Sequence, residues 1–299
     1  MFKHVIVGVD EHQGGRDATA LANRLVESDG SVSCARVLVR DALIGRGASP
    51  DFDAAECRRA QERHAAAHAE TGDEPQQLRC VPAPSVGRGL HELADAERAD
   101  LLVVGSCQRG LVGRVMLGDD TSDALNGAPC ALAIAPFGYA ERPAALREVG
   151  VAYDGSPESE DALEAARAIA TESGAKLSAF QAVSIPAYLT VPGALASGEA
   201  FPALVNEAIA RIEALGGVEA HAAYGLPGEE LAMYSASLDL LVVGSRGHGP
   251  IGRLMHGSTS RQLARNARCP VLVLTRGARA IARPDLDHVG QVAATAAVG

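Results

Sequence analysis

Short apolar runs alternate with longer segments of mixed apolar and polar residues along most of the chain. The runs have the length of buried strands, and the segments between them have helical character. Parallel strands joined by helical crossovers produce this alternation, so the pattern predicts an open α/β sheet. In the first half the predicted strands are 5–9, 32–39, 78–81, 101–104 and 131–135, and the predicted helices are 16–27, 54–70, 86–98 and 121–126.

The second half repeats this plan. Residues 136–147, with two prolines, one glycine and several charges, predict a linker between the halves. Beyond it, Ser156 and Pro157 predict a helix start, because serine caps free N–H groups and proline fits the first turn. Residues 185–199, with two prolines and two glycines, predict a flap beside the sheet. The predicted strands of this half are 149–153, 177–183, 218–222, 240–243 and 271–274.

Length and repetition together predict the domain organisation. A chain of 299 residues favours two domains, and the internal repeat indicates a duplication. We expect the first domain at 1–138 and the second at 148–276. The remaining residues, 277–299, show no clear packing pattern, and we expect this tail to be partly disordered.

Composition narrows the set of partners. The formal net charge of −10 repels nucleic acid and anionic membranes. Aromatic residues make up only 3% of the chain, which leaves few rings for stacking bases. No apolar run has the length of a membrane span, and the N-terminus lacks a cleavable signal pattern. We therefore expect no nucleic acid, no membrane and a cytoplasmic location.

The cysteines are scattered along the chain without CxxC pairs, and several lie in apolar runs. This pattern predicts free thiols in a reducing compartment and argues against disulfides and metal binding. The six cysteines are Cys34, Cys57, Cys80, Cys107, Cys130 and Cys269.

A glycine-spaced loop follows the fourth predicted strand of the second half. It holds Gly244 and Gly247, and after nine further residues Gly257 and Ser258. Glycines let a backbone approach a ligand closely, and hydroxyls that open a helix lie beside free N–H groups, which attract anions. The spacing therefore suits a nucleotide phosphate. A copy of this loop begins 139 residues earlier, at Gly105.

These segments resemble the universal stress protein family in its tandem form. The family's G-x2-G-x9-G-[ST] motif is met in full by Gly244, Gly247, Gly257 and Ser258. The strand that ends at Asp154 resembles the family's opening strand, and residues 268–274 resemble its closing strand. The resemblance covers nearly all of residues 1–275. It implies two tandem open, five-stranded parallel-sheet domains with helices on both faces, of the Rossmann-like, adenine nucleotide alpha hydrolase-like class. It also implies ATP binding, a regulatory or stress-response role, frequent dimerisation and little or no catalysis.

A nucleotide site is therefore expected in the second domain, outside the carboxyl ends of its strands. We expect Asp154 at the ribose or the adenine amine, and backbone groups of Ala182 and Val183 at an adenine edge. The glycines leave room for the ribose and the α-phosphate, the hydroxyls bind the outer phosphates, and the arginines add charge. We assign no catalytic residue and no metal ligand, and we interpret His248 and His256 as loop residues. The expected nucleotide-binding residues are Asp154, Ala182, Val183, Val243, Gly244, Arg246, Gly247, Arg253, Gly257, Ser258, Thr259 and Ser260.

Each assignment has a purely structural alternative. Gly244 and Gly247 could form only a tight turn. Asp154 and Ser258 could cap helices, and Arg253 could be a solvated arginine.

The first copy of the motif departs from the pattern. Gln108 replaces the second glycine, and Asp119, followed by Asp120, replaces the serine. A carboxylate about 4 Å from a phosphate costs on the order of 4 kcal/mol at an intermediate dielectric, whereas a hydroxyl–phosphate contact contributes about 1.5–3 kcal/mol. We therefore expect the first site to bind ATP poorly or not at all. Alternatively, the two aspartates hold Mg²⁺ that bridges to phosphate, and Arg109 and Arg114 keep the loop locally basic.

The leading hypothesis is an ATP-binding regulator, with or without Mg²⁺ on the nucleotide. The alternatives are a slow ATPase of the same fold and a non-binding dimerisation or interaction module. The Walker pattern is absent, so at most weak ATP hydrolysis is expected. The apolar strands 131–134 and 271–273 are expected to pair the two domains with each other. A homodimer and an unidentified protein partner are further expectations.

Overall fold

The computed structural model describes most of both halves of the chain. The described residues are 1–10, 13–40, 50–71, 76–106, 123–124, 126–143, 145–184, 200–245, 263, 266–275 and 278. The predicted flap at 185–199 lies outside these residues, and so does the predicted tail apart from Ala278. Of the predicted helix at 121–126, only Asp123 and Ala124 are described as helical.

The first half contains the five predicted strands and three of the predicted helices. The predicted helix 16–27 is wrong at its end, because α1 stops at Leu25 and Val26 already pairs with Phe2 as the start of β2. Helix α3 has Ser85 as its N-cap, whose hydroxyl accepts a hydrogen bond from the Arg88 N–H. The elements are β1 Phe2–Gly8, α1 Gln13–Leu25, β2 Val26–Val39, α2 Pro50–Thr71, β3 Leu78–Ala83, α3 Val86–Glu97, β4 Leu101–Gly105 and β5 Ala131–Ala135.

The second half repeats the order of these elements. The predicted start of α4 is confirmed: Ser156 caps the helix, and Pro157 occupies its first turn. Helices α5 and α6 were not predicted from the sequence. The elements are β6 Glu148–Ala152, α4 Pro157–Ser173, β7 Lys176–Val183, α5 Ala200–Glu213, β8 Glu219–Tyr224, α6 Pro227–Tyr234, β9 Leu240–Gly244 and β10 Val271–Leu274.

The ten described strands form one sheet in the order β3-β2-β1-β4-β5-β10-β9-β6-β7-β8. Within each half all neighbouring strands are parallel, as predicted. The halves meet where β5 and β10 pair antiparallel, with Leu272 opposite Ala133. This confirms the predicted pairing of the two apolar strands. All five residues of β5 and all four of β10 are buried, so the junction belongs to the core.

Helices cover both faces of the sheet. Buried residues of α1 and α4 pack on one face, and buried residues of α3 and α6 pack on the other. The core is built mainly from alanine, valine, leucine and isoleucine. Such a core follows from a chain with so few aromatic residues.

A buried carboxylate fixes the start of the connection between the halves. Asp17 of α1 is fully buried and accepts hydrogen bonds from the backbone N–H groups of Gly138 and Ala140, each at 2.8 Å. Gln13 also donates to it from its side-chain amide, at 3.3 Å. Because the charge-assisted bonds satisfy a group that would be costly to bury alone, the connection is held against α1.

One expectation about the cysteines is wrong. Cys57 of α2 and Cys80 of β3 form a disulfide, with their Cα atoms 5.7 Å apart. They are 23 positions apart in sequence and become neighbours only because α2 packs across β3. Among the described residues Cys34, Cys130 and Cys269 are free and buried, as predicted.

Candidate functional site

The strand order reverses at the same place in each half. The chain passes from the first strand outward to the second and third, then returns to place the fourth strand on the other side of the first. In the second half this point lies between β6 and β9, where Val151 pairs with Val242. Their carboxyl ends therefore meet at one edge of the sheet, where open α/β sheets form ligand crevices. Asp154 lies just beyond the end of β6, and Gly244 is the last residue of β9, so the structure brings them to the same edge.

The Asp154 carboxylate orders the turn that leads into α4. Its Oδ1 accepts a hydrogen bond from the Ser156 N–H at 3.0 Å, and its own N–H donates to the Ser159 hydroxyl at 3.3 Å. The cap of α4 is Ser156, so the alternative that Asp154 caps this helix is replaced by a turn-forming role. Gly155 within the turn has a φ of 77°, a conformation that favours glycine.

Gly244 is required by a close approach of the protein to itself. A Cβ at this position would overlap the backbone carbonyl of Glu158 in the first turn of α4. Gly105 meets the backbone of Gly14 in α1 in the same way. The first glycine of each motif thus lets a helix start rest against the end of a strand, a role that the sequence interpretation did not include.

Ala182 and Val183 lie at the carboxyl end of β7, next to β6. The Val183 carbonyl accepts a hydrogen bond from the Gly225 N–H at 3.1 Å, so this group is already used on the β8 side. Successive residues of a parallel strand turn their backbone groups to opposite sides. The groups of Ala182 therefore face the side of β6, which ends just before this level. Of the two residues, Ala182 is the better candidate for a ligand contact.

Ser245, which the sequence analysis did not assign to the site, directly follows Gly244. Its N–H donates to the Leu274 carbonyl at 3.0 Å, which ties the end of β9 to β10. Its side-chain oxygen is buried, and among the described residues it has no hydrogen-bond partner. The signal in the sequence was its place directly after Gly244, which Ser106 repeats after Gly105.

Val243 lies in β9, next to Gly244, and pairs with Val273 of β10. The other assigned residues lie outside the part of the chain that the structure describes. The same holds for His248 and His256, and for the first-half residues Gln108, Asp119 and Asp120. The assigned residues concerned are Arg246, Gly247, Arg253, Gly257, Ser258, Thr259 and Ser260.

Metal clusters and membrane spans are absent from the part of the chain that the structure describes. The described residues contain no group of three or more His, Cys, Asp or Glu side chains that could hold a metal ion. Within these residues, no helix combines the length and the apolar composition that a membrane span requires.

The family of the protein follows from a match between the chain and a family model. The model of the universal stress protein family matches the chain twice, over residues 1–136 and 145–275. The chain belongs to the universal stress protein family. It contains two tandem universal stress protein domains, each with the strand order described above. The bounds 1–138, 148–276 and 277–299 stay predictions.

Individual universal stress proteins are similar to different extents. One from Mycobacterium tuberculosis is 32% identical over 189 residues, which are 60% of this chain and 62% of that protein. The match thus spans less than two thirds of that relative's length. One from Thermus aquaticus is 34% identical over 143 residues, which cover 43% of this chain and 98% of the relative. The crystal structure of a universal stress protein from Archaeoglobus fulgidus matches 91% of this chain and 98% of its own, with a TM-score of 0.62 and 18% identity. That likeness shows the shared fold.

Proposed function

We propose that this universal stress protein binds ATP in its second domain and acts as a nucleotide-responsive regulator. One observation carries the proposal: Asp154 and Gly244 lie at the ends of adjacent strands, at the point where the strand order reverses. The motif residues continue along the chain directly from Gly244. A ligand bound at this edge of the sheet would meet a carboxylate on one side and the start of the motif on the other.

The described groups suggest an orientation for the nucleotide. We expect the backbone of Ala182 at the adenine and the Asp154 carboxylate at the ribose. The phosphates then extend toward residues 257–260, whose hydroxyls and N–H groups are donors in the sequence motif. The buried Ser245 hydroxyl is a further donor beside this path. Arg246 and Arg253 add positive charge, and Mg²⁺ on the phosphates is compatible with this orientation.

The first domain is proposed to bind ATP poorly or not at all. It shares the edge geometry, since Val7 pairs with Val103 and Gly105 contacts the start of α1. The difference lies in the motif, where Asp119 stands in place of Ser258. A carboxylate there repels phosphate, so a shared fold does not imply a shared ligand.

The interaction-module alternative would have to use other strands than the two that join the domains. It places assembly at the sheet edges, and strands 131–134 and 271–273 pair the two domains with each other, as expected, so they are not free edges of the sheet. Among the described strands, the outer edges of the sheet are β3 and β8. A homodimer, a protein partner, a cytoplasmic location and weak ATP hydrolysis stay predictions.

The test is calorimetric titration of the full chain with ATP, with Mg²⁺ and with chelator. Ser258→Asp should weaken binding about 100-fold, because a new carboxylate would lie near a phosphate. The matched control is Thr121→Asp, which adds the same charge at the first-domain counterpart of Ser260 and should leave affinity unchanged. If the unmodified chain does not bind ATP, the proposed function is wrong. Equal losses in both variants would mean that the assigned domain is wrong.

A further inference from the structure

The disulfide of the first domain lies in an interface between a helix and a strand. Cys57 is on the side of α2 that packs over β3, near the buried Ala60. Cys80 is on β3 and packs against the main core cluster. Both side chains are only partly buried. The pair is therefore held in register by the packing of two elements and stays within reach of small molecules.

Other contacts keep α2 on the sheet without the disulfide. Arg40, just after β2, forms an ion pair with Asp53 in the first turn of α2. The Gln61 side-chain amide donates to the Leu78 carbonyl of β3 at 3.2 Å. With the thiols reduced, these contacts leave the two sulfur atoms near each other. Oxidation would then add a covalent link without requiring a new fold.

By comparison, the thiols of the other described cysteines react poorly. Burial raises the pKa of Cys34 to about 11, although Thr19 lowers it in part through a hydrogen bond. Burial also raises the pKa of Cys130 to about 12 and raises that of Cys269. A thiol reacts as its thiolate, so these buried groups stay inert at neutral pH.

The second domain attaches the matching helix in a different way. Helix α5 packs on β8, where the rings of Phe201 and Tyr224 are in tilted contact with centroids 4.7 Å apart. This contact does not depend on redox conditions. The two domains thus differ in the chemistry of one helix–strand attachment.

We propose that Cys57 and Cys80 form a reversible redox site that exchanges with low-molecular-weight disulfides such as oxidised glutathione. In the oxidised form α2 is covalently fixed to β3, and in the reduced form it is held by non-covalent contacts alone. Redox state would then change the mobility of one crossover helix in the first domain. This goes beyond nucleotide binding and does not depend on it.

The exchange proceeds in two steps. One protein thiolate attacks the disulfide of oxidised glutathione, which forms a mixed disulfide and releases one glutathione thiolate. The second protein thiolate attacks the protein sulfur of that mixed disulfide and releases the second glutathione. Two protein thiols lose two electrons and two protons, and one oxidised glutathione becomes two reduced glutathione molecules.

The experiment equilibrates the full chain in glutathione buffers from fully reduced to fully oxidised, followed by acid quench. Mass spectrometry should show the peptides of Cys57 and Cys80 linked in oxidised buffer and separate in reduced buffer. Amide hydrogen exchange of residues 50–71 should be about tenfold slower in the oxidised form. Residues 200–213, the matching helix, serve as the internal control and should not change.

Two single variants, Cys57→Ala and Cys80→Ala, should abolish the redox dependence of exchange in residues 50–71. The unmodified chain alone can also overturn the proposal. A pair that stays reduced in oxidised buffer, or stays linked in excess reduced glutathione, would refute reversibility. Equal amide hydrogen exchange of α2 in the oxidised and reduced forms would refute the proposed change in its mobility.

Discussion

The two domains make the same helix–strand contact at the end of the fourth strand, but they attach their crossover helices in different ways. In both, a glycine closes the fourth strand because a helix start rests against it: Gly105 against Gly14, and Gly244 against Glu158. The attachments of the crossover helices differ, with a disulfide in one domain and an aromatic contact in the other. Backbone contacts admit no substitute, whereas side-chain contacts can be exchanged for others of equal effect.

The strand-end glycines offer the strongest test of this comparison. Gly244→Ala and Gly105→Ala each place a Cβ against backbone atoms that cannot rotate away, so a helix start must move. We expect each change to lower the free energy of unfolding by about 4 kcal/mol, measured by urea denaturation.

The control is Gly155→Ala, where a Cβ meets no atom within 4 Å and only the positive φ opposes it. It should cost about 1 kcal/mol. If the three variants were equally stable, the close approach would not be the reason for the glycines.

The disulfide should give the next largest difference in stability between the two domains. A covalent loop between residues 23 positions apart restricts the unfolded chain and stabilises the fold by about 3 kcal/mol. The double variant Cys57→Ser with Cys80→Ser should lose this amount in oxidising buffer. In buffer with excess reductant, the variant and the unmodified chain should unfold at nearly the same urea concentration. A loss that is equally large in both buffers would indicate packing damage instead.

The buried Asp17 gives a smaller difference between the domains. Asp17→Ala leaves the N–H groups of Gly138 and Ala140 without their acceptor and should cost about 2 kcal/mol. The corresponding residue of α4, Asp161, is only partly buried, so Asp161→Ala should cost less. Thermal denaturation of both variants makes the comparison. A larger loss at Asp161 would contradict it.

The sequence predicted what depends on local pattern. All ten described strands were predicted, because buried parallel strands appear as short apolar runs, and the β5–β10 pairing followed from the apolar character of both strands. The start of α4 followed from the Ser156–Pro157 pair.

What the sequence could not predict depends on packing between distant segments. Cys57 and Cys80 carry no local signal of pairing, since their distance is set by how α2 crosses β3. The contact that requires Gly244 is likewise made by Glu158, which is far away in sequence. The start of β2 at Val26 depends on its pairing with Phe2. The assigned phosphate-binding residues, Gly257 and Ser258 among them, stay predictions.

The smallest expected effect concerns the cores of the two domains. Gly150 of β6 pairs with Leu241, as Ile6 of β1 pairs with Leu102, so these positions correspond. Ile6 fills its core directly, whereas a Cβ at Gly150 would collide with side-chain atoms of Leu238 and Tyr234. In the first domain the strand residue Ile6 fills this space. In the second domain the side chains of Leu238 and Tyr234 fill it instead.

Gly150→Ala should cost only about 1 kcal/mol, because the colliding atoms belong to side chains that can shift. In the background of Leu238→Ala, which removes the nearest colliding group, the same change should cost less. A double-mutant cycle by urea denaturation should thus give a favourable coupling of about 0.5 kcal/mol or more. The control pairs Gly150→Ala with Leu90→Ala in the first domain, where the two effects should add. Additivity in both pairs would mean that Gly150 is not making room for its neighbours, and that the two cores differ for another reason.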